Sequence, residues 1–296
     1  MPSAARTFDD VDQLRHALAE TGYLADDALA TALFLAVRMR QPLLLEGEPG
    51  VGKTHAATAL ATAMGSPLLR VQCYEGLTAA ETIYEWNYPR QLLAIRLAEA
   101  QSTTLAETDL FTDDYLLPRP LLAAVTHPGP GPAVLLVDEV DRADDEFEAF
   151  LFETLAEAAV TIPELGTRRA AVPPVVVLTS NRTRDLHDAL KRRCLYHWIS
   201  YPDTARVEAI VRRRVPAAST WLAGQVAAAV GRLRGLDLQK QPGIAEAISW
   251  TTALGVLGLA ELDAGAAERT LGAVLKYDED FASVRSAGLS ALLHHG

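Results

Sequence analysis

Between an apolar run, Leu43–Leu45, and an alanine-rich stretch, His55–Met64, the chain reads Gly47, Glu48, Pro49, Gly50, Val51, Gly52, Lys53, Thr54. A glycine, four open positions and then Gly-Lys-Thr is the phosphate-loop pattern. A strand that feeds such a turn into a helix aims successive backbone N–H groups at one point. The positive end of the helix dipole lies there too, so the turn is built to hold an anion. Glycines at 47, 50 and 52 allow the tight turn and a close approach of phosphate to the backbone. Lys53 is placed to reach the outer phosphates of a nucleotide, and the Thr54 hydroxyl to hold Mg²⁺. The feature commits this part of the chain to a strand, a turn and a helix in that order.

Four more short apolar runs have the same character: Leu68–Cys73, Ala133–Val137, Val175–Thr179 and Cys194–Ile199. Continuous rather than alternating hydrophobicity is expected of parallel strands covered on both faces. Helical stretches separate them, so the region 41–202 is predicted to be an α/β core with a parallel five-stranded sheet flanked by helices. Before it, Leu14 and Leu18, then Leu29, Leu33 and Val37, recur at helical spacing on either side of Thr21, Gly22 and Tyr23, giving a helical lead-in over 1–40. Beyond Pro202 the pattern is helical throughout, with segments expected at Thr204–Arg214, Thr220–Arg234, Ile244–Ala260, Gly265–Tyr277 and Asp278–His294. Residues 203–296 are therefore expected to form a smaller all-α domain.

At 296 residues, two domains are expected. The balance of 27 basic and 38 acidic side chains gives a net charge of −11. That disfavours nucleic acid as a partner, since phosphate contacts supply most of such affinity. No apolar run approaches the roughly 20 residues that span a bilayer, and Met1–Asp10 lacks the apolar stretch of a secretion signal, so a cytoplasmic location is expected. Cys73 and Cys194 read as buried free thiols, because neither belongs to a metal-spaced cluster.

Two further strand ends carry polar groups. Ala133–Val137 runs into Asp138 and Glu139, and ligands of open parallel sheets bind outside the carboxyl ends of the strands. Asp138 is expected beside the phosphate loop, holding Mg²⁺ with Thr54, and Glu139 is expected to polarise an attacking water. The same pair also reads as two solvated acids capping a helix. Val175–Thr179 leads through Ser180 to Asn181, whose amide would help hold that water if this strand lies between the other two. Lys191, Arg192 and Arg193 precede the last strand. One arginine could complete a neighbouring subunit's site by stabilising charge on a transferring phosphoryl group; the run also reads as a solvated helix end. Tyr23 stands in a turn that could contact adenine or simply pack. The four tryptophans read as packing residues, and Asp144, Asp145, Glu146 and Glu148 as a solvated helix start.

Taken in order, Gly47–Thr54, the Asp138-Glu139 strand, Asn181 and the Arg192-Arg193 pair resemble an AAA+ P-loop NTPase, and more closely the MoxR family. Segments 70–75, 116–120, 161–166 and 186–197 are similar to its CoxD-like group. The resemblance implies an ATPase with ATP and Mg²⁺ as its cofactors, bound by Tyr23, residues 47–54, His55 and Asp138. It implies Glu139, Asn181 and a trans-acting Arg193, with Arg192 as alternate, as catalytic residues. It also implies a ring, usually a hexamer, acting as a chaperone-like remodelling enzyme. A partner carrying a von Willebrand factor A domain and a client metalloenzyme are implied as well. The stretch from Glu75 to about Pro120 would be an insertion, and Thr161–Val172 a hairpin, both facing the ring pore. The helical domain would act as a lid, but its segment 240–246 lacks the arginine that many such lids supply. Lys240 is the nearest cation there, and Arg142 a further candidate at an interface.

Three other readings fit parts of this pattern. A nucleotide-gated scaffold with little hydrolysis is supported by the missing lid arginine. A small-molecule kinase is opposed by the Asp-Glu pair, because a kinase must keep activated water from the γ-phosphate. A DNA-translocating motor is opposed by the charge.

Overall fold

The computed structural model of the chain describes residues 6–289 and residue 293. It divides into two compact units. The first holds the chain up to Thr21, then Ala25–Glu46 and Thr54–Trp198; the second holds Gly22–Leu24, Gly47–Lys53 and the chain from Ile199 onward.

Among the described residues, nine strands run in chain order: β1 Leu43–Gly47, β2 Leu68–Gln72, β3 Tyr84–Trp86, β4 Leu116–Pro118, β5 Val134–Asp138, β6 Ala159–Ile162, β7 Gly166–Arg169, β8 Val175–Ser180 and β9 Leu195–Ile199. Five of them make one sheet in the order β2-β5-β8-β1-β9. These are the five apolar runs of the sequence, and β8 lies between β5 and β1. Parallel registers pair Leu43 with Val177, Val134 with Val175, and Leu68 with Val134. Every residue of β1, β5 and β8 is buried, as interior strands covered on both faces should be. The two edge strands are only partly covered: β2 carries Arg70 and Gln72, and β9 carries Tyr196 and Trp198.

The core of the first unit gathers Leu44, Leu135, Val137 and Leu178 from the sheet with Leu121, Phe147 and Leu151 from flanking helices. Two antiparallel pairs stand outside this sheet: β3 with β4, between which the chain runs through the helix Tyr88–Ala100, and β6 with β7, a hairpin. The second occupies the segment for which the MoxR resemblance implied a hairpin. Helices Val11–Glu20 and Asp27–Met39 form the lead-in, each capped by an aspartate, Asp10 or Asp26, that accepts from a first-turn backbone N–H.

The second unit is helical among its described residues from Thr204 onward, and its core centres on Trp250, Val226, Val230, Leu254 and Leu271. Helices Thr204–Arg214, Thr220–Leu233 and Ile244–Val256 follow the expected pattern, the last ending four residues early at Leu257 and Gly258. The stretch expected as one helix over Gly265–Tyr277 instead stops at Thr270 and tightens into a 3-10 turn, Leu271–Ala273. The helix expected over Asp278–His294 is described as Asp278–Ala287; residues 290–292 and 294 lie outside the described residues.

Three expectations need correction. Glu148 does not belong to a solvated helix start: it is buried and ion-paired with Arg184. Trp198 and Trp221 are exposed, whereas Trp86 and Trp250 are buried. Cys73 is buried but Cys194 is partly exposed.

Candidate functional site

In the first unit, the ends of the adjacent strands β5 and β8 bring Thr54, Asp138, Glu139 and Asn181 into one hydrogen-bonded group. Asp138, the last residue of β5, is buried. Its Oδ1 accepts from the Thr54 hydroxyl at 2.9 Å and from the Thr179 hydroxyl at 2.5 Å. Its Oδ2 accepts from Arg70 Nη2 at 2.5 Å. Glu139 sits in a left-handed turn, φ 56° and ψ 50°, with its N–H bonded to the Thr179 hydroxyl at 2.9 Å. Its carboxylate meets Asn181 Nδ2 at 3.4 Å, Gln72 Nε2 at 3.1 Å and Arg142 Nη1 at 3.2 Å.

Several of these residues carry no motif. Thr179 is the second-last residue of β8, and its hydroxyl bridges the Asp138 carboxylate to the Glu139 backbone. Asp141, 2% exposed, braces the turn beyond β8. Its Oδ2 accepts from Thr183 N–H at 2.8 Å, the Thr183 hydroxyl at 2.7 Å and Asn181 N–H at 3.2 Å. Arg70 and Gln72, two apart on the edge strand β2, share a face and both reach the carboxylates. Alternation along β2 was the available signal, since a fully buried strand would not place Arg and Gln at 70 and 72. Nearby Cys73 is a free thiol that burial, with Asp138 and Asp141 close by, pushes up to about 12.

In the second unit, the glycine loop Gly47–Lys53 has the backbone its sequence demands. Gly47 has φ +156°, and a Cβ there would stand 2.3 Å from the Ile199 carbonyl oxygen. Gly50 and Gly52 are left-handed, at φ +80° and +96°. The Lys53 ammonium is buried and donates to the carbonyls of Gly47 at 2.7 Å and Glu48 at 2.9 Å. Tyr23 is buried beside this loop, its ring 3.7 Å from where a Cβ on Gly52 would lie. Lys53 opens the helix Lys53–Met64, with Thr54 and a half-buried His55 next in its first turn.

Arg192 and Arg193 are not brought to the carboxylates. Both are exposed at the end of the short helix Asp188–Lys191. The Arg193 guanidinium lies over the Phe152 ring, 4.0 Å from its centroid, beside a cavity of about 250 Å³. Lys240 approaches Glu246 at 3.9 Å.

The Thr54 hydroxyl from a helix start and the Asp138 and Glu139 carboxylates from the end of β5 form a set of hard oxygen donors with the Asn181 amide beside it, the chemistry that suits Mg²⁺ and a water. The loop fits a phosphate group by its place: a turn of positive-φ glycines leads into a lysine and the start of a twelve-residue helix, whose first N–H groups have no partner within the helix.

Residues 42–194 match the sequence model of the AAA domain (dynein-related subfamily). The structure is similar to that of the Thermotoga maritima RuvB Holliday junction branch migration motor, with a TM-score of 0.50 and 17% identity, covering 84% of this chain and 69% of that one. A mutant of the same protein gives a TM-score of 0.51 at 18% identity, covering 87% and 72%. At these identities the likeness is one of fold. No helix among the described residues is long and apolar enough to cross a membrane.

Proposed function

Because the chain belongs to the AAA domain family, dynein-related subfamily, we propose that it is a Mg²⁺-dependent ATPase. The observation that carries this reading is the hydrogen-bonded group of Thr54, Asp138, Glu139 and Asn181 at the ends of β5 and β8. Lys53 would bind the outer phosphates. Thr54 and Asp138 would hold the cation, which when bound neutralises phosphate charge. Glu139 accepts a proton from the attacking water, and the Asn181 amide orients that water. Arg193 or Arg192 of a neighbouring copy would stabilise the transferring phosphoryl group. Both arginines are exposed, which leaves them open to another chain. Tyr23 and His55 would border the nucleotide.

At the finer level we infer a MoxR-type remodelling ATPase of the CoxD-like group. It would assemble as a ring, act with a von Willebrand factor A partner and serve a client metalloenzyme. Support comes from segments 70–75, 116–120, 161–166 and 186–197. The net charge of −11 speaks against a nucleic-acid partner. Light scattering with and without ATP tests the ring, and DNA-stimulated turnover would restore the motor reading.

The direct test of chemistry is Glu139→Gln. It keeps the side-chain length and one acceptor oxygen but removes the base and the ion pair with Arg142. ATP affinity by calorimetry should stay near wild type while turnover falls roughly 10²–10⁴-fold, the usual worth of a positioned general base. Near-normal turnover would remove Glu139 from the role. A second reading, a nucleotide-gated scaffold, is favoured by the Glu139 carboxylate being held at once by Gln72, Asn181 and Arg142. Steady-state assays separate the two: negligible turnover with tight nucleotide binding in the unaltered protein selects the scaffold.

A further inference from the structure

Three carbonyls of the glycine loop have donors within the second unit, and that of Pro49 shares the Tyr201 hydroxyl with the Gln241 carbonyl, each at 3.4 Å. Lys53 holds those of Gly47 and Glu48. The Ile244 N–H donates to the Gly50 oxygen at 3.1 Å. A trans peptide keeps its C=O and the following N–H on opposite sides. Fixing the Gly50 oxygen therefore fixes the direction of the Val51 N–H. Gly50 is the place where this matters, because a glycine at φ +80° has no Cβ to resist a peptide flip.

Two residues bring the Ile244 N–H there. Gly243 allows the approach: a Cβ on it would stand 2.8 Å from the Gly50 oxygen and 2.9 Å from the Gly50 Cα. Arg234 shapes the turn before it. Its Nε donates to the Pro242 carbonyl at 2.8 Å and its Nη1 to the Pro202 carbonyl at 3.0 Å, while the guanidinium lies over the Tyr201 ring at 4.4 Å. Glu246 caps the helix start, accepting from the Gly243 N–H at 2.9 Å.

We propose that this clasp, the Ile244 N–H on the Gly50 carbonyl as set by Gly243 and Arg234, orients the loop's amides for the phosphates of a nucleoside di- or triphosphate. Ile244, Gly243 and Arg234 are then positioning residues for nucleotide binding. The inference rests on the nucleotide reading above. It assigns to backbone a coupling that needs no cation from segment 240–246, where Lys240 is turned to Glu246.

Ile244 is the first residue of its helix, where proline is tolerated. Gly243 is extended, φ −87° and ψ −168°, as a residue before proline should be. Ile244→Pro thus opens the clasp twice over, deleting the N–H and setting its Cδ against the Gly50 oxygen 3.1 Å from the nitrogen, while it keeps the helix start; Ile244→Ala keeps the N–H and loses the side chain. Calorimetry with ADP should show Ile244→Pro binding at least roughly five- to tenfold more weakly than Ile244→Ala, the worth of one backbone hydrogen bond being the lower bound because the proline ring also pushes the Gly50 oxygen away. Hydrogen exchange at the Val51 amide should be faster in the proline variant alone. Equal ADP affinities in the two variants, with the unaltered protein binding ADP, overturn the clasp and leave the nucleotide reading standing. No ADP uptake by the unaltered protein overturns the nucleotide reading itself. Should Ile244→Pro not fold, Gly243→Ala is compared with Gly255→Ala in the same helix, where an added Cβ meets nothing within 4 Å. Weaker ADP binding in Gly243→Ala alone supports the clasp; equal binding overturns it.

Discussion

Asp141 shows how much of the candidate site rests on a residue without a motif. One of its oxygens takes three donors from the turn after β8, so it ties Asn181 to the turn that carries Glu139. Its other oxygen, Oδ1, is buried with no hydrogen-bond partner among the described residues. Asp141→Ala strands the Thr183 and Asn181 N–H groups. It should destabilise the protein by about 3 kcal/mol, the scale for losing a charged acceptor and leaving buried donors unpaired, as read from urea unfolding. Asp141→Asn, which keeps one acceptor oxygen, should cost less. Equal losses in the two variants would mean that the charge rather than the acceptor matters. The sequence distinguishes Asp138 and Glu139 from Asp141 by their place at the end of an apolar run. It cannot show that Asp141 turns back under Thr183, because that contact joins residues 42 apart in the chain. Thr179 was hidden for a different reason: it reads as one more strand residue until β8 is placed next to β5.

At the scale of elements, β1, β5 and β8 were legible because burial on both faces leaves a continuous apolar run, and the edge strands β2 and β9 because they are short, mainly apolar runs. The strand pair β3–β4 and the hairpin β6–β7 were not legible from pattern. Three- and four-residue strands are too short to show a period, and β7 is Gly-Thr-Arg-Arg, with no apolar face at all. Helices end before the apolar pattern does where alanine-rich sequence runs on past a stop, as at Thr270. One stop is energetically costly. Helix Asp145–Glu157 ends on Ala158 in a left-handed conformation, φ 47° and ψ 42°. That conformation costs a residue with a Cβ about 1 kcal/mol, and glycine is the usual occupant. Ala158→Gly should therefore stabilise the protein by roughly 0.5 kcal/mol, after the entropy glycine adds to the unfolded chain. A rise in the urea midpoint at unchanged slope checks it; a fall would show that the methyl packs to more effect than the backbone strains.

The chain divides into two compact units, with the glycine loop in the helical one and Thr54 and the carboxylates in the one that holds the sheet. Trp250 centres the helical core, 0% exposed, with its indole N–H on the Thr270 hydroxyl at 2.7 Å. Trp250→Ala should cost that core about 3–5 kcal/mol, as large-to-small changes of buried aromatics do. Calorimetry should then show two melting transitions, the lower one belonging to the helical unit. A single transition displaced as one would mean that the units unfold together. The placement of the indoles also makes the protein its own optical instrument. Trp198 and Trp221 are open to a collisional quencher, whereas Trp86 and Trp250 are shielded, one in each core. Emission that survives acrylamide divides between two chromophores, so the order in which the halves loosen can be followed by fluorescence without a label.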